Sequence, residues 1–205
     1  MNSYNLELRV QKLEDIYGEG SPDSKSKLSL LFENCRTVDA KEDLLSHLKF
    51  SLLESLSERY GCTKIFRGDS ASRTAMKVLS LTAKGYGVSV PLETTMYSER
   101  PRCSIYRPFW DTSAKEMSIF SRYSQLECFH APSFTTKSHD KASIDSLLAA
   151  FIAKVQVDYP ATIDTIIRTA EKLSVSERLL PETQCPLCLL WVVYYRFPFC
   201  SVICW

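Results

Sequence analysis

The chain has 205 residues, of which 45% are hydrophobic and 24% charged, a composition typical of a globular domain with one sizeable core. Because 25 Lys and Arg nearly balance 24 Asp and Glu, only a local excess of charge can mark a face for a charged partner. The first residues carry no basic segment followed by an apolar one, so we expect neither a secretory signal nor an N-terminal anchor.

Residues 4–10 alternate polar and apolar side chains, which predicts a half-buried strand. A run of glycine, serine and proline at 18–24 then predicts a mobile loop. The segment 39–42 has the pattern of a helix capping box, and leucines follow it at helical spacing as far as Gly61. We expect this helix to cover one face of a sheet.

A short strand at 63–66 leads directly into a helix at 70–83, which ends near Gly85, a residue that tolerates the left-handed conformation. A second unit of this kind follows, with a strand at 103–107 and a helix at 112–123. Repetition of strand and helix predicts an α/β fold with a parallel sheet and flanking helices.

Two further apolar stripes at helical spacing, within 144–155 and 163–173, predict a helical hairpin. A polar link at 174–183 then leads to a tail at 189–205 that is rich in aromatic residues and carries one charge, Arg196. The tail is too short and interrupted to predict a membrane span.

The turn between strand 63–66 and its helix is the strongest candidate site. Ser70 can cap the helix, Asp69 precedes it, and Arg73 lies on its first turn, where free N–H groups favour phosphate. The alternative interpretation is structural, with Ser70 as a simple cap and Arg73 in a surface ion pair.

The basic excess lies in residues 64–122, which hold ten Lys and Arg against five Asp and Glu. Lysine and arginine side chains that contact phosphates hold a nucleic acid in place without reading its sequence. Tyr86 or Tyr97 would stack on an unpaired base. The alternative is a solvated loop without a partner. The candidates for phosphate contact in this stretch are Lys84, Arg100, Arg102 and Arg107.

Cys185 and Cys188 have the spacing of half a tetrahedral zinc site, and Cys200 and Cys204 are a weaker second pair. The eight cysteines are expected in a reducing compartment, where thiols are metal ligands or core residues more often than disulfides. The dispersed Cys35, Cys62, Cys103 and Cys128 are expected to pack in the interior.

The run Gly-Asp-Ser-Ala-Ser-Arg-Thr-Ala at 68–75, continued by Leu-Thr-Ala-Lys-Gly-Tyr-Gly at 81–87, resembles the cytoplasmic tRNA 2-thiolation protein 2 family. The resemblance extends from about residue 40 to residue 188. Further segments that fall in the order of that family are 98–100, 107–116, 141–144, 159–160 and 168–173.

This resemblance implies a partial Rossmann-like fold of the PP-loop ATPase type and a role in thiolation of the wobble uridine of tRNA in the cytoplasm. It implies a heterodimer with the protein 1 subunit, and a thiocarboxylated ubiquitin-like modifier as sulfur donor. In active relatives ATP adenylates the uracil oxygen, whereas the protein 2 subunit is regarded as non-catalytic and tRNA-binding.

The chain departs from the family pattern because it has no Ser/Gly-rich phosphate loop and no N-terminal cysteine pair, so we do not expect ATP to bind this chain alone. We expect Met1 to lie inside the domain, and residues 189–205 resemble nothing in the family. The predicted division is a strand and loop at 1–38, an α/β domain with C-terminal helices at 39–174, and a linker with an incomplete cysteine-rich tail at 175–205. The alternatives are an active ATP-dependent tRNA sulfurtransferase or nucleotidyltransferase and a nonfunctional translated fragment.

Overall fold

A small three-stranded sheet with flanking helices makes up the computed structural model, which describes residues 7–18, 20, 22–100, 102–129 and 143–174. The helices in this part of the chain are α1 (Ser24–Asn34), α2 (Val38–Arg59), α3 (Ala71–Ala83), α4 (Val90–Thr94), α5 (Ala114–Tyr123), α6 (Ile144–Asp158) and α7 (Thr162–Glu171), with 3-10 turns at Leu13–Tyr17 and Gly87–Ser89. The strands are β1 (Lys64–Phe66), β2 (Tyr97–Glu99) and β3 (Ser104–Tyr106).

The predicted strand at 4–10 is wrong in its described part. Residues 7–10 have no regular structure, and Leu8 and Val10 are each more than 80% exposed. Alternation of polar and apolar side chains stabilises a strand only beside a partner strand, and the described chain places none there. Residues 1–6 lie outside the described part, and α1 was not predicted.

The start of α2 lies before the predicted capping box. Thr37 is its N-cap, and the Thr37 Oγ1 accepts the N–H of Ala40 at 3.2 Å. Asp39 instead accepts the backbone N–H of Ile144 at 2.8 Å, across the interface between α2 and α6. The predicted end is confirmed, since the helix stops before Gly61 at φ 65°.

The sheet has the order β1-β3-β2. β1 and β3 are parallel, with Ile65 opposite Ile105, and the predicted α/β class is confirmed. β2 was not predicted, and it is antiparallel to β3, with Ser98 opposite Ile105. The link from β2 to β3 is too short for a crossover, so these two strands can pair only as a hairpin.

The main core lies between α3 and the predicted hairpin of α6 and α7. Ala71 and Ala75 of α3 pack against Ile152, Ile163 and Ile167, all of which are buried. The small alanines let the three helices approach closely, and the isoleucines fill the space between them. In the described ranges, no helix combines the length and the apolar character that a membrane crossing needs.

Candidate functional site

Two strand-to-helix turns lie side by side at the carboxyl ends of β1 and β3. Ser70 caps α3, its Oγ accepting the N–H of Arg73 at 3.5 Å, and Ser113 caps α5 in the same manner. The N–H of Ala71 donates to the carbonyl of Thr112 at 2.8 Å and so joins the two helix starts. The predicted cap at Ser70 is confirmed, and the free N–H groups of both helices lie at one edge of the sheet.

Asp69, in the turn before α3, lies between two arginines. Its Oδ2 is 3.1 Å from Arg67 Nε and 3.6 Å from Arg107 Nε, and the residue is buried. Two guanidinium groups already balance this carboxylate, so its strongest partners are internal. Contact between Asp69 and a ligand stays a prediction.

A second acidic side chain, Glu93 of α4, also has two cationic partners. It accepts from Lys77 Nζ at 2.5 Å and forms a close ion pair with Arg100. Burial disfavours the charged form, but Lys77 and Arg100 more than offset burial and hold the pKa of Glu93 well below its usual range. Glu93 therefore stays ionised at neutral and mildly acidic pH.

Arg107 is the largest fully buried side chain, with 1% of its surface exposed. Its Nη1 donates to the carbonyl of Thr95 at 2.8 Å, and its Nη2 donates to that of Leu92 at 3.5 Å. Burial lowers the pKa of Arg107 to about 10 against the opposing effect of Glu93, so the side chain is charged at neutral pH. These contacts join β3 to the segment before β2, and in this position the guanidinium cannot reach a phosphate outside the protein.

Arg100 is also turned inward. Its guanidinium lies 4.4 Å from the centre of the Phe50 ring, and 7% of its side chain is exposed. We call the group to which it belongs the buried charge cluster. Four cationic side chains there share two paired carboxylates, and a third carboxylate, that of the buried Glu54, also interacts with Arg100. Its members are Arg67, Asp69, Lys77, Glu93, Arg100 and Arg107.

Lys84 lies at the other end of α3, away from the turn at Ser70. Its Nζ is 2.8 Å from Asp43 of α2 and 3.2 Å from Asp145 of α6. Burial lowers the pKa of Lys84, but the bonds to Asp43 and Asp145 outweigh burial and raise it overall. The structure thus makes Lys84 a link between three helices and does not bring it to the buried charge cluster.

Arg73 differs from Lys84, Arg100 and Arg107 because it is exposed, on the first turn of α3. Ser70 beside it is half-buried. Arg102 is exposed as well, 3.7 Å from Glu58 in a surface ion pair. Of the predicted phosphate contacts, Ser70 and Arg73 therefore lie both at the helix start and within reach of solvent.

Comparison with known proteins gives a consistent answer. A family model described as cytoplasmic tRNA 2-thiolation protein 2 matches residues 143–194. Proteins of that description from Danio rerio and Homo sapiens are 36% and 35% identical to this chain over 176 and 173 residues, or 82% and 83% of its length. The chain belongs to the cytoplasmic tRNA 2-thiolation protein 2 family.

The chain spans about a third of the length of these relatives, 35% for Danio rerio and 34% for Homo sapiens. The match to the family model runs past Cys188 to residue 194, so the prediction that 189–205 resembles nothing in the cytoplasmic tRNA 2-thiolation protein 2 family is wrong for 189–194. No solved structure matches the chain.

Three residues of the buried charge cluster were not predicted from the sequence: Arg67, Lys77 and Glu93. Arg67 stands within the run at 64–75 from which the site was chosen, and its charge was the available signal. Lys77 and Glu93 are separated by the whole second half of α3 and its following turn. Their pairing comes from the packing of α4 against α3, which no local pattern encodes.

The predicted zinc ligands Cys185 and Cys188 lie outside the described residues. Within the described ranges, no group of three or more His, Cys, Asp and Glu side chains is arranged to hold a metal ion. Cys103 is buried, which raises the pKa of its thiol, whereas Cys62 and Cys128 are exposed. Interior packing is therefore confirmed for Cys103 and wrong for Cys62 and Cys128.

An open groove of about 450 Å³ lies at the connection between α6 and α7. It is lined by Asp158, Tyr159, Pro160 and Ile166, among others, and by none of the predicted site residues. The candidate site is the edge where α3 and α5 begin. It combines two helix N-termini with the exposed Arg73, and the carboxylate of Glu116 accepts the N–H of Ser113 at the start of α5.

Proposed function

We propose that this chain acts in tRNA 2-thiolation in the cytoplasm, as a tRNA-binding and largely non-catalytic subunit. The observation that carries the proposal is its similarity, over four fifths of its length, to proteins named for that process. The finer parts of the proposal are the wobble uridine as the target, a heterodimer with the protein 1 subunit, and sulfur from a thiocarboxylated ubiquitin-like modifier.

The geometry at the start of α3 and α5 supports phosphate binding. Two helix N-termini are joined there by the bond from Ala71 to Thr112, which uses the first N–H of α3. The remaining N–H groups and the dipoles of both helices favour an anion. The exposed Arg73 on the first turn of α3 adds a positive charge at this edge. Such an edge suits the backbone of an RNA, which carries a negative charge at every nucleotide.

The proposed roles of the candidate residues differ with their exposure to solvent. Ser70 and Arg73 would contact a phosphate, because they lie at the surface of the turn. Arg100, Arg107 and Asp69 act as positioning residues, which hold the strands and the turn. This division replaces the earlier expectation that all the cations touch RNA.

The test is a charge reversal at Arg73. Arg73→Glu should weaken binding of bulk tRNA by the 205-residue chain and by its complex with the protein 1 subunit. It should also reduce the slope of log Kd against log salt by about 1, as expected when one phosphate contact is lost. The matched control is Lys25→Glu, an exposed lysine on α1, which packs against the 3-10 turn at Leu13–Tyr17; this change should leave the slope unchanged.

An unchanged salt slope in Arg73→Glu would reject this edge as the phosphate site. Adenylate held tightly by the purified chain would reject the non-catalytic role and favour the ATP-dependent sulfurtransferase.

A further inference from the structure

The groove at the connection between α6 and α7 continues along the seam of the two helices. The groove itself, about 450 Å³ in volume, is lined by Tyr159, Pro160 and Ile166, among others. A narrow cleft shares Thr162 and Ile166 with it and extends along α6 to Phe151. We call the groove and the cleft together, lined from Phe151 to Ile166, the hairpin groove.

The apolar side chains of the hairpin groove are open to water. Tyr159 is 69% exposed and Phe151 is 49% exposed, whereas their neighbours Ile152 and Ile163 are buried against α3. The described elements therefore cover one side of the hairpin and leave the other side uncovered. Apolar surface of this kind, gathered in one concave place, marks a binding surface.

The charges of the hairpin groove favour a polypeptide over a nucleic acid. Among the described residues that line it, none is a lysine or an arginine, and Asp158 supplies a carboxylate. Phosphates bind where cations gather, so an RNA would find no attraction here. The groove suits an apolar segment with, at most, a positive charge to meet Asp158.

The sequence contains a segment with these properties. Residues 189–205, the tail recognised in the sequence, hold six aromatic and six aliphatic residues, and their single charge is the positive Arg196. Such a segment gains free energy when its side chains leave water for an apolar surface. These residues lie outside the described part of the chain, so their partner has to be inferred from composition and reach.

The tail is close enough to reach the hairpin groove. Ala170 of α7 packs against Val78 of α3, and Ser80 of α3 bonds to Asp145 at the start of α6. The end of α7 and the start of α6 thus lie at the same end of α3.

The 15 residues from 174 to 189 span at most about 50 Å, whereas α6 with its 15 residues is about 22 Å long. A tether of this length keeps the tail at a high effective concentration near the groove, which favours it over a second copy of the chain.

We propose that residues 189–205 bind in the hairpin groove of the same chain, with aromatic side chains against Phe151 and Tyr159. The interaction covers the open side of the hairpin and shields the tail from water. It does not depend on tRNA binding, since none of the predicted site residues lines this groove.

The first test is photo-cross-linking in the full 205-residue chain. Thr165→benzoylphenylalanine places the reactive group at an exposed position that lines the groove. Mass spectrometry should find its cross-links in residues 189–205 of the same molecule. The control is Phe120→benzoylphenylalanine on α5, an exposed position outside the groove, which should give no such cross-links.

The second test measures how well the tail is shielded from water. In a Trp110→Phe background the remaining tryptophans, Trp191 and Trp205, both report on the tail. Phe151→Asp should raise the acrylamide quenching constant about twofold or more, because a carboxylate in the groove opposes apolar contact. Phe120→Asp, the matched control on an exposed phenylalanine, should leave quenching unchanged.

Equal quenching in the Phe151→Asp and Phe120→Asp variants would overturn the proposal. Cross-links from Thr165 to an isotope-labelled second copy would also overturn it and assign the groove to self-association. A fall in tRNA affinity in Phe151→Asp with unchanged quenching would assign the groove to RNA instead. The salt slope of Arg73→Glu is measured separately, so failure here is distinguishable from failure of the proposed tRNA site.

Discussion

Two sides of α3 are buried in different ways. One side, with Ala75, packs against Ile163 and Ile167 in an apolar layer. Lys77 on the same helix is half-buried, and its ammonium group pairs with Glu93. Apolar packing needs only matched shapes, whereas a buried charge is tolerated only with a partner in place. From this comparison we expect that removing one side chain lowers the free energy of unfolding more in the charged region than in the apolar one.

The largest effect is expected from Glu93→Ala. This change leaves the half-buried Lys77 and the buried side chain of Arg100 without their shared carboxylate, so the free energy of unfolding should fall by about 3–5 kcal/mol in urea denaturation. The control is Glu99→Ala on β2, an exposed carboxylate, which should change stability by about 0.5 kcal/mol or less. Equal losses in the two variants would show that the charged region contributes nothing specific.

The apolar layer should respond less strongly. Ile167→Ala removes buried methyl groups and leaves a cavity, at an expected cost toward the lower end of about 2–5 kcal/mol because the short helix α7 can partly collapse. Leu147→Ala on α6, which is half exposed, is the matched control and should cost well under half as much. A loss for Ile167→Ala larger than that for Glu93→Ala would reverse the comparison.

The smallest expected effect is a change in how the free energy of unfolding depends on pH. Because the folded pKa of Glu93 lies below its ordinary value of 4.5, its contribution is complete above about pH 4.5 and is lost as pH falls from there toward the folded pKa. Glu93 should therefore add up to about 1.4 kcal/mol per pH unit to the loss of stability between pH 4.5 and 3.5.

Urea denaturation across this pH range measures that slope. Glu93→Gln should flatten it, whereas Ile167→Ala should shift the whole curve by one amount, since an isoleucine does not titrate. Parallel curves for wild type and Glu93→Gln would contradict the ionised, paired state of Glu93.

The predicted elements with strong local signals were correct. Ser70 caps α3 because a serine followed by a helical pattern needs no distant residue to accept an N–H. The strand predicted at 4–10 was wrong in its described part, 7–10, and β2 was missed, because a strand of three to seven residues is stable only where a neighbour lies. Thr37 displaced Asp39 as the cap of α2, since Asp39 found a partner in Ile144, far along the chain.

The sequence by itself determined the α/β class, the cap at Ser70, the hairpin of α6 and α7, and the resemblance to the family. These follow from the periodicity of side chains, from local capping and from motif order, all of which are written along the chain. Only the tertiary structure decided which cations are buried. Arg107 and Arg73 look equivalent in sequence, but the packing of α4 and the hairpin of β2 and β3 enclose Arg107 and leave Arg73 in water, because burial is a property of neighbours that are distant in the chain.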